Sequence, residues 1–240
     1  MPTEVRPIDG VPRLSEGDEL TPYLPEDPDV LAVASTAVSK VEGRVRKLDS
    51  FDPSDRAKEL ASRNGADPRF TQAVVEESEE FLIEEPFLLA VTSFGHVAPN
   101  AGIDRSNVEG DESVVLLPHD PEESAARIAD GTGTSVVVTD TCGRAFRRGQ
   151  TGVALGWSGM GAIRDWRGEE GLYGHELEAT EEAVVDEVAG FASAVMGEGG
   201  DGTPAVAFYG LEEIVRGADD DVLFRPEEDD IVRAALREFK

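Results

Sequence analysis

The sequence predicts a mixed α/β fold in which short buried strands alternate with helices. Valine-rich runs such as Val30–Ala34 and Val136–Thr139 are typical of buried strands. Helix signals lie between such runs, for example at Asp67-Pro68, where an N-cap residue precedes a proline at the first helical position. With 240 residues, 40% of them apolar, the chain is long enough to bury a large core, in one large domain or two small ones.

Alternating apolar runs, cap signals and turn signals place the elements in order along the chain. In the first half we predict an edge strand or arm at Val5–Pro12, a strand at Val30–Ala34, helices from Asp52 to Asn64 and from Asp67 towards Glu80 with the glutamates 76–80 as a solvated face, and a hairpin of Phe87–Thr92 and His96–Ala98. In the second half we predict a strand at Val114–Leu117, a helix at Glu122–Asp130 ended by Gly131, a strand at Val136–Thr139, a glycine-rich aromatic stretch at Gly149–Tyr173, a long helix at Glu176–Met196, a strand at Ala205–Tyr209 and a helix at Glu227–Phe239.

The stretch from Val136 to Gly149 carries the strongest functional signal. Its apolar run stops at polar residues, the first of which are Asp140 and Thr141. Three arginines follow close behind: Arg144, Arg147 and Arg148. Carboxylates bind hard divalent cations through oxygen, and guanidinium groups bind phosphate or carboxylate oxygens. The pattern favours a phosphate and metal site, and a plain strand and turn with a surface salt bridge is the alternative that this stretch alone leaves open.

Three other segments carry related chemistry. Ser35–Lys40 follows a strand and presents hydroxyls and a lysine, which indicates either a phosphate-binding turn or an ordinary turn with an exposed lysine. Asp104 and Asn107 form either simple turn chemistry or a second carboxylate site for a metal. Gly197–Gly202, which includes Glu198, is either a loop that approaches a ligand closely or a mobile connector.

Charge and cysteine content limit the classes of partner. The chain has 50 acidic and 22 basic residues, a net charge of −28, so nucleic acid and anionic membranes are disfavoured. High acidity with few lysines is typical of a protein that stays soluble in very salty cytoplasm, and an ordinary acidic protein is the alternative. A single cysteine excludes an intramolecular disulfide. Neither a signal peptide nor a membrane-spanning run is recognised, so we expect a cytoplasmic protein.

The histidines and the cysteine carry weaker signals. His96, His119 and His175 lack zinc-type spacing and are interpreted as surface or satisfied core residues. Cys142 has no histidine nearby in sequence to act as its base, so we interpret it as a small packed residue.

Four motifs occur in an order that identifies a family resemblance. They are Ser-Thr-x-x-Ser-Lys at 35–40, Asn-Ala-Gly-Ile-Asp-x-Ser-Asn at 100–107, Thr-Asp-Thr-x-Gly-Arg-x-x-Arg-Arg-Gly at 139–149 and Gly-Glu-Gly-Gly-Asp-Gly at 197–202. With them the sequence resembles the coenzyme F420-0:L-glutamate ligases, or F420:gamma-glutamyl ligases, of archaea over essentially its whole length. The resemblance implies the single-unit archaeal form, 1–240, without the nitroreductase-like domain fused to the actinobacterial enzymes.

The resemblance further implies a GTP-dependent ligase that adds L-glutamate residues to the coenzyme F420 precursor. It implies an intertwined homodimer of two-domain α/β subunits, with GTP and divalent metal, two ions of Mg or Mn, in a groove at the interface. Asp104 and Asp140 would bind one ion, and Thr141 and Glu198 the other. The residues implied to contact the nucleotide are Asp9, Gly10, Val11, Pro12, Ser35, Thr36, Lys40, Asn107, Met196, Gly197, Glu198, Gly199, Gly200, Asp201, Gly202 and Thr203.

The chemistry of such a ligation can be reasoned independently. A carboxylate oxygen is a poor leaving group, so transfer of the γ-phosphoryl of GTP makes an acyl phosphate that the glutamate amine attacks. Metals and arginines would neutralise the developing charge, and the three arginines at 144, 147 and 148 are the candidates. The residues leave open GTP against ATP, Mg against Mn, the general base, the number of glutamates added and whether K⁺ assists. A metal-dependent nucleotide phosphohydrolase and a non-catalytic nucleotide- or deazaflavin-binding protein remain as alternatives.

Overall fold

Twelve strands and seven α-helices make up the part of the chain that the computed structural model describes, residues 2–108, 110, 112–199, 202–218 and 220–238. The strands are β1 (Glu4–Pro7), β2 (Val30–Ala34), β3 (Val45–Lys47), β4 (Glu80–Ile83), β5 (Leu89–Val91), β6 (Val97–Pro99), β7 (Ser113–Val115), β8 (Ser135–Gly143), β9 (Gln150–Ser158), β10 (Ile163–Asp165), β11 (Glu181–Ala183) and β12 (Ala205–Tyr209). The helices are α1 (Ser35–Val41), α2 (Asp55–Asn64), α3 (Pro68–Glu76), α4 (Pro121–Thr132), α5 (Val184–Met196), α6 (Glu212–Gly217) and α7 (Ile231–Glu238), with 3₁₀ turns at Thr21–Tyr23, Leu48–Ser50, Asn100–Gly102 and Glu227–Asp229.

A five-stranded sheet with the order β1-β12-β2-β8-β9 forms the centre of the fold. Only β2 and β8 run parallel, and their pairing ends at Ala34 opposite Thr139. The valine-rich strands at the centre are buried on both faces, as their continuous apolar runs predict. The structure confirms the mixed α/β class and the strands predicted at 30–34 and 205–209.

Helices cover both faces of this sheet. Val30 and Ala32 belong to a core that includes α5, whereas Leu31 and Val33 belong to a core that includes α4. Because side chains alternate between faces along a strand, α5 and α4 lie on opposite sides. A third core, formed by α2, α3 and short strands between 48 and 116, packs separately from these two.

A β-bulge in β9 changes which face of the sheet the residues of this strand point to. Val138 pairs with Gly156 but the next residue, Thr139, pairs with Ala154, so Leu155 has no partner on β8. Before the bulge, a Cβ on Gly152 would lie 2.1 Å from the carbonyl oxygen of Ala189 in α5. After it, a Cβ on Gly156 would lie 2.3 Å from the carbonyl carbon of Pro121 in α4. The two glycines therefore let helices approach β9 closely from opposite faces.

Several predicted boundaries are wrong in ways that have local causes. Helix α2 begins at Asp55 because Ser54, not Asp52, accepts from the Ala57 N–H as N-cap. Helix α4 passes through Gly131 and ends at Gly133, which has the left-handed φ of 70° that terminates a helix. Strand β8 continues through Gly143 rather than stopping at Thr139, because β9 pairs with it along its polar end.

Other differences arise from tertiary pairing that a local pattern does not show. The long helix begins at Val184 rather than Glu176, because residues 181–183 pair as β11 with β10. Helix α3 ends at Glu76, and Glu80 begins β4 instead of ending the helix. The segment 35–41, predicted as a turn, is helical, and the last helix begins at Ile231 rather than Glu227. The edge strand, the cap of α3 at Asp67 and the β5–β6 hairpin are confirmed.

Among the helices of the described residues, none has the length and apolarity needed to cross a bilayer.

We expect the close approach at Gly156 to make Gly156→Ala destabilising by about 1–3 kcal/mol, because the atoms that the new Cβ meets are backbone and cannot rotate away. Gly190→Ala in α5 is the control, since its Cβ would find its nearest atom at an ordinary 3.5 Å. Denaturant unfolding of both variants measures the difference. Equal stabilities of the two variants would contradict the packing argument.

We expect the melting temperature to rise with KCl from low to molar concentration. The 28 excess negative charges repel one another, and this repulsion weakens as the Debye length falls to about 3 Å at 1 M salt. Thermal unfolding in a KCl series measures the effect, with circular dichroism at each concentration to check that the starting state is folded. A melting temperature independent of KCl would rule out the interpretation as a salt-adapted protein.

Candidate active site

A cavity of about 500 Å³ opens where the parallel pairing of β2 with β8 ends, beside the polar end of β8. It brings together segments that are far apart in sequence: the N-terminal arm, α1, the loop after β6, the polar end of β8 and the loop after α5. The predicted site residues that line it are Val11, Pro12, Ser35, Thr36, Lys40, Asp104, Asn107, Asp140, Thr141, Met196, Gly197, Glu198, Gly199, Gly202 and Thr203.

The parallel register places Ser35 beside Asp140. Each of these residues directly follows the last pair of the β2–β8 ladder, Ala34 and Thr139. The Ser35 hydroxyl donates to the Asp140 Oδ1 at 3.1 Å. Asp140 thus lines the cavity and is oriented by the hydroxyl of the first residue of α1.

Burial raises the pKa of Asp140 to about 6. The Thr141 N–H and the Ser35 hydroxyl oppose this by stabilising the charged form, whereas the negative charges of Asp104 and Glu198 add to the increase. Three carboxylates therefore share one region of the cavity, although they reach it from three different segments. A cation placed there would relieve their mutual repulsion.

Asp104 is held by the loop that carries it. Its backbone exchanges hydrogen bonds with Val115, at 3.0 and 2.8 Å. Its carboxylate accepts from the N–H and hydroxyl of Ser106, both at 2.7 Å, and from the backbone N–H and side-chain amide of Asn107 at 3.2 and 2.8 Å. Burial alone would raise the pKa of Asp104, but these hydrogen bonds hold it below its ordinary value. Asp104 therefore makes the turn hydrogen bonds and also lines the cavity, whereas its role as a metal ligand stays a prediction.

Glu198 reaches the cavity from the loop that follows α5. Its Oε2 accepts from the Thr141 hydroxyl at 3.4 Å, and its Oε1 accepts from the Ser193 hydroxyl at 3.5 Å. The helix ends at Gly197, whose φ of 71° turns the chain into the loop. Long hydrogen bonds of this kind leave the Glu198 carboxylate free to exchange them for a stronger ligand.

The donor set fits a hard divalent cation. Asp104, Asp140, Thr141 and Glu198 offer only oxygen atoms, the ligands that Mg²⁺ and Mn²⁺ accept most readily. Among the described residues, no three His, Cys, Asp or Glu side chains are arranged so that they could hold a metal ion as they stand. The carboxylates instead accept hydrogen bonds from neighbouring hydroxyls and amides, so ion binding would require the side chains to move.

The predicted nucleotide segments divide into three groups. Those in α1 and in the loops at 104–107, 196–199 and 202–203 line the cavity, with Lys40 on the last turn of α1. Asp9 and Gly10 precede the wall residues Val11 and Pro12 without lining the cavity themselves. Gly200 and Asp201 lie outside the described residues.

The three arginines occupy a different place from the one expected. Arg144, Arg147 and Arg148 lie exposed on the turn between β8 and β9 and do not line the cavity. The cause is the length of β8: its pairing with β9 carries the turn past the cavity rim. Their role in phosphoryl transfer stays a prediction.

Sequence reasoning missed three polar wall residues: Arg13, Gln150 and Ser193. Ser193 gave no signal because it lies within the predicted helix, where a small hydroxyl side chain is common. Cys142 lines the cavity, and burial raises the pKa of its thiol, which agrees with a packed, unreactive residue. His96 is buried, as one alternative held, but its Nε2 has no hydrogen-bond partner, and burial lowers its pKa to about 4, so it packs as a neutral ring.

We expect Asp140→Asn to stabilise the metal-free chain at pH 7.5 by up to about 3 kcal/mol. The folded-state pKa of Asp140, about 6, lies above its unfolded value of 3.8. Between pH 4 and 6 the folded chain therefore keeps a proton on Asp140 that the unfolded chain has lost. Because of this difference, the wild-type chain loses stability as the pH rises through that window. The gain should be complete above pH 6 and should shrink as the pH falls towards 4. Denaturant unfolding in EDTA at several pH values measures it, with the exposed Asp52→Asn as the control. A variant less stable than wild type at pH 7.5 would contradict the electrostatic argument.

Comparison with known proteins places the chain in a family. Residues 14–210 match the family model described as F420-0:Gamma-glutamyl ligase. The chain is 55% identical to the coenzyme F420:L-glutamate ligase of Natronomonas pharaonis, over 98% of this chain and 97% of the relative. It is 50% identical to the ligase of the same name from Archaeoglobus fulgidus, over 99% of both chains, and 40% identical to that of Methanosarcina mazei, over 99% of this chain and 98% of the relative. The matches span the strands, helices and loops that enclose the cavity, so the chain belongs to the F420-0:gamma-glutamyl ligase family.

Proposed function

We propose that the chain joins L-glutamate to the coenzyme F420 precursor F420-0 in an amide bond, consuming GTP, and then adds further glutamate. Family membership and the names of the full-length relatives support the ligation. The observation that carries the proposal in this chain is the cavity that is lined by Asp104, Asp140 and Glu198, the last two accepting from the hydroxyls of Ser35 and Thr141 respectively.

The charge of the cavity wall favours nucleotide bound together with metal. Asp104, Asp140 and Glu198 contribute three negative charges, and Lys40 and Arg13 are the only Lys or Arg residues among the described wall residues. A nucleoside triphosphate would add several more negative charges, so repulsion would dominate without a counter-ion. Asp104 and Asp140 are proposed to hold one Mg²⁺ or Mn²⁺, and Thr141 and Glu198 a second.

Such ions, held by these residues, would supply charge neutralisation for phosphoryl transfer. The chain itself supplies positioning. The Ser35 hydroxyl keeps Asp140 in one orientation, and the Asp104 loop is fixed by its own hydrogen bonds, so neither carboxylate needs large reorganisation. Ser35, Thr36, Lys40 and Asn107, with the loop at 196–203, are proposed to contact the nucleotide.

The proposed reaction has two steps. The substrate carboxylate takes the γ-phosphoryl group of GTP, which gives an acyl phosphate and GDP. The amine of L-glutamate then attacks the acyl carbon, forms the amide and expels phosphate. Each amide therefore consumes one GTP, because every new carboxylate must be activated in turn.

We also propose that the active form is a homodimer of two-subdomain subunits. The isolated chain exposes large apolar side chains, among them Phe146 at the β8–β9 turn and Leu172 and Tyr173 in the 166–180 segment. Exposed apolar groups of this size favour burial against another surface. In a dimer the β8–β9 turn of one subunit would extend towards its partner, which would give Arg144, Arg147 and Arg148 a route to phosphate that the single subunit does not provide.

The deciding experiment incubates the protein with F420-0, L-glutamate, GTP and Mn²⁺ or Mg²⁺ and follows mass and phosphate. We expect products heavier by one and then two glutamyl residues, with one GDP and one phosphate per amide. Hydroxylamine in place of glutamate should trap a hydroxamate from the acyl phosphate. Phosphate release that does not depend on glutamate, without mass gain, would instead indicate a phosphohydrolase, and nucleotide binding without turnover a binding protein.

Two variants test the proposed ion site in the same assay. Asp104→Asn and Asp140→Asn should each lower turnover by at least about a hundredfold, because each removes an anionic ligand worth several kcal/mol to the transition state. If the two carboxylates share one ion, the double variant should be no slower than the single ones. Full turnover of either variant at saturating metal would contradict the assignment, and the exposed Asp52→Asn is again the control.

A further inference from the structure

Helix α5 bears the Glu198 loop at one end and a partly buried carboxylate, Asp186, in its first turn. The Asp186 Oδ1 accepts from the backbone N–H of Ala154 at 2.8 Å. Ala154 lies in β9, an edge strand of the sheet, directly beside the unpaired bulge residue Leu155. The side chain therefore holds the helix to the strand at the point where the strand register changes.

The bulge decides which residues of β9 face α5. With it, Thr141 pairs with Gly152, and Gly152 touches the backbone of Ala189. Moving the register by one residue would turn Gly152 and Ala154 away from the helix, because side chains alternate between faces. The bond at Ala154 thus fixes the register on the side of the bulge that contains Thr141.

The same helix controls where Glu198 lies. Contacts between α5 and β9 follow one helical face: Asp186 with Ala154, then Ala189 and Ser193 with Gly152. Ser193 also donates to Glu198, which accepts from Thr141 on the neighbouring strand. The distance from Thr141 to Glu198 is therefore set by how α5 sits along β9.

We propose that Asp186 is a positioning residue for the second ion: by fixing α5 to β9 at the bulge, it sets the separation between Thr141 and Glu198. Asp186 is not among the residues that line the cavity. The inference rests on the proposed function for the assignment of an ion to Thr141 and Glu198. The contacts of Asp186 and α5 with β9 do not depend on that assignment. Burial raises the pKa of Asp186. A charged carboxylate at this position therefore lowers the stability of the folded chain relative to the same group on the surface.

The test measures Mn²⁺ binding directly, from the electron paramagnetic resonance signal of free Mn²⁺. Asp186→Ala should weaken the ion at Thr141 and Glu198 by about tenfold or more, as loss of an outer partner does at metal sites. Asp186→Asn keeps an acceptor oxygen and should bind within about twofold of wild type. Glu187→Ala is the matched control, since it removes an acidic group from the same helical turn on the exposed side.

A non-additivity test separates positioning from general stability. Glu198→Gln should weaken the same ion, and Asp186→Ala combined with Glu198→Gln should then be no weaker than Glu198→Gln alone. Affinity of folded Asp186→Ala within twofold of wild type would overturn the inference, as would additive losses in the double variant. A purely structural role would lower the melting temperature while leaving Mn²⁺ affinity unchanged, which also overturns it.

If Asp186→Ala does not fold, Gly152→Ala probes the same contact. Its Cβ would lie 2.1 Å from the Ala189 carbonyl oxygen and would displace α5, whereas Gly190→Ala on the same helix introduces no clash and is the control. Weaker Mn²⁺ binding for Gly152→Ala alone supports the inference, and equal affinities overturn it. A wild-type chain that binds no Mn²⁺ overturns it as well. Mn²⁺ binding without glutamate ligation would reject the proposed function while leaving the positioning result intact.

Discussion

The parallel pairing of β2 and β8 is the constraint on which the candidate site depends. The parallel pairing of the two strands ends in register at Ala34 and Thr139, so the next residues, Ser35 and Asp140, emerge at one point beside each other. Open sheets of this kind tend to bind ligands outside the carboxyl ends of their parallel strands. The Asp104 loop and the loop after α5 then close around a position that these strands have already fixed. A change in the pairing would move Asp140 relative to every other group in the cavity, whereas the surrounding loops could change individually.

The parts of the fold that sequence predicts well are those with local causes. Strands β2 and β12 are continuous apolar runs. In the dipeptide Asp67-Pro68, Asp67 is the N-cap of α3 and Pro68 is its first residue. The start of α5 depends on whether residues 181–183 find β10 as a partner, which no local pattern records. The site residues divide in the same way, into those that local motifs predict and those that depend on tertiary pairing. Motifs marked Asp104, Asp140 and Glu198, but the position of the three arginines depends on the pairing of β8 with β9, and Asp186 acts through a backbone N–H that carries no sequence signal.

An acidic surface and an anionic ligand make opposite demands on the same molecule. The net charge of −28 favours solubility at high salt, yet the proposed nucleotide would have to enter a cavity lined by three carboxylates. With the proposed divalent ion bound between them, these carboxylates would turn part of that repulsion into affinity. Residue Asp140 shows the cost of this arrangement without the ion, since burial and its acidic neighbours raise its pKa to about 6.

The last helix, α7, is attached to the rest of the chain chiefly by charge. It has no fully buried residue among those described, and Ile231 and Val232 are largely exposed. Arg233 and Arg237 both pair with Glu80 at the start of β4, at 3.0 and 2.6 Å. Screening by salt also weakens attraction between partly exposed charges, although less than it weakens repulsion between fully exposed ones. Salt that protects the sheet should therefore loosen this helix, so amide hydrogens of 231–238 would exchange faster under the conditions in which those of β2 and β8 exchange more slowly.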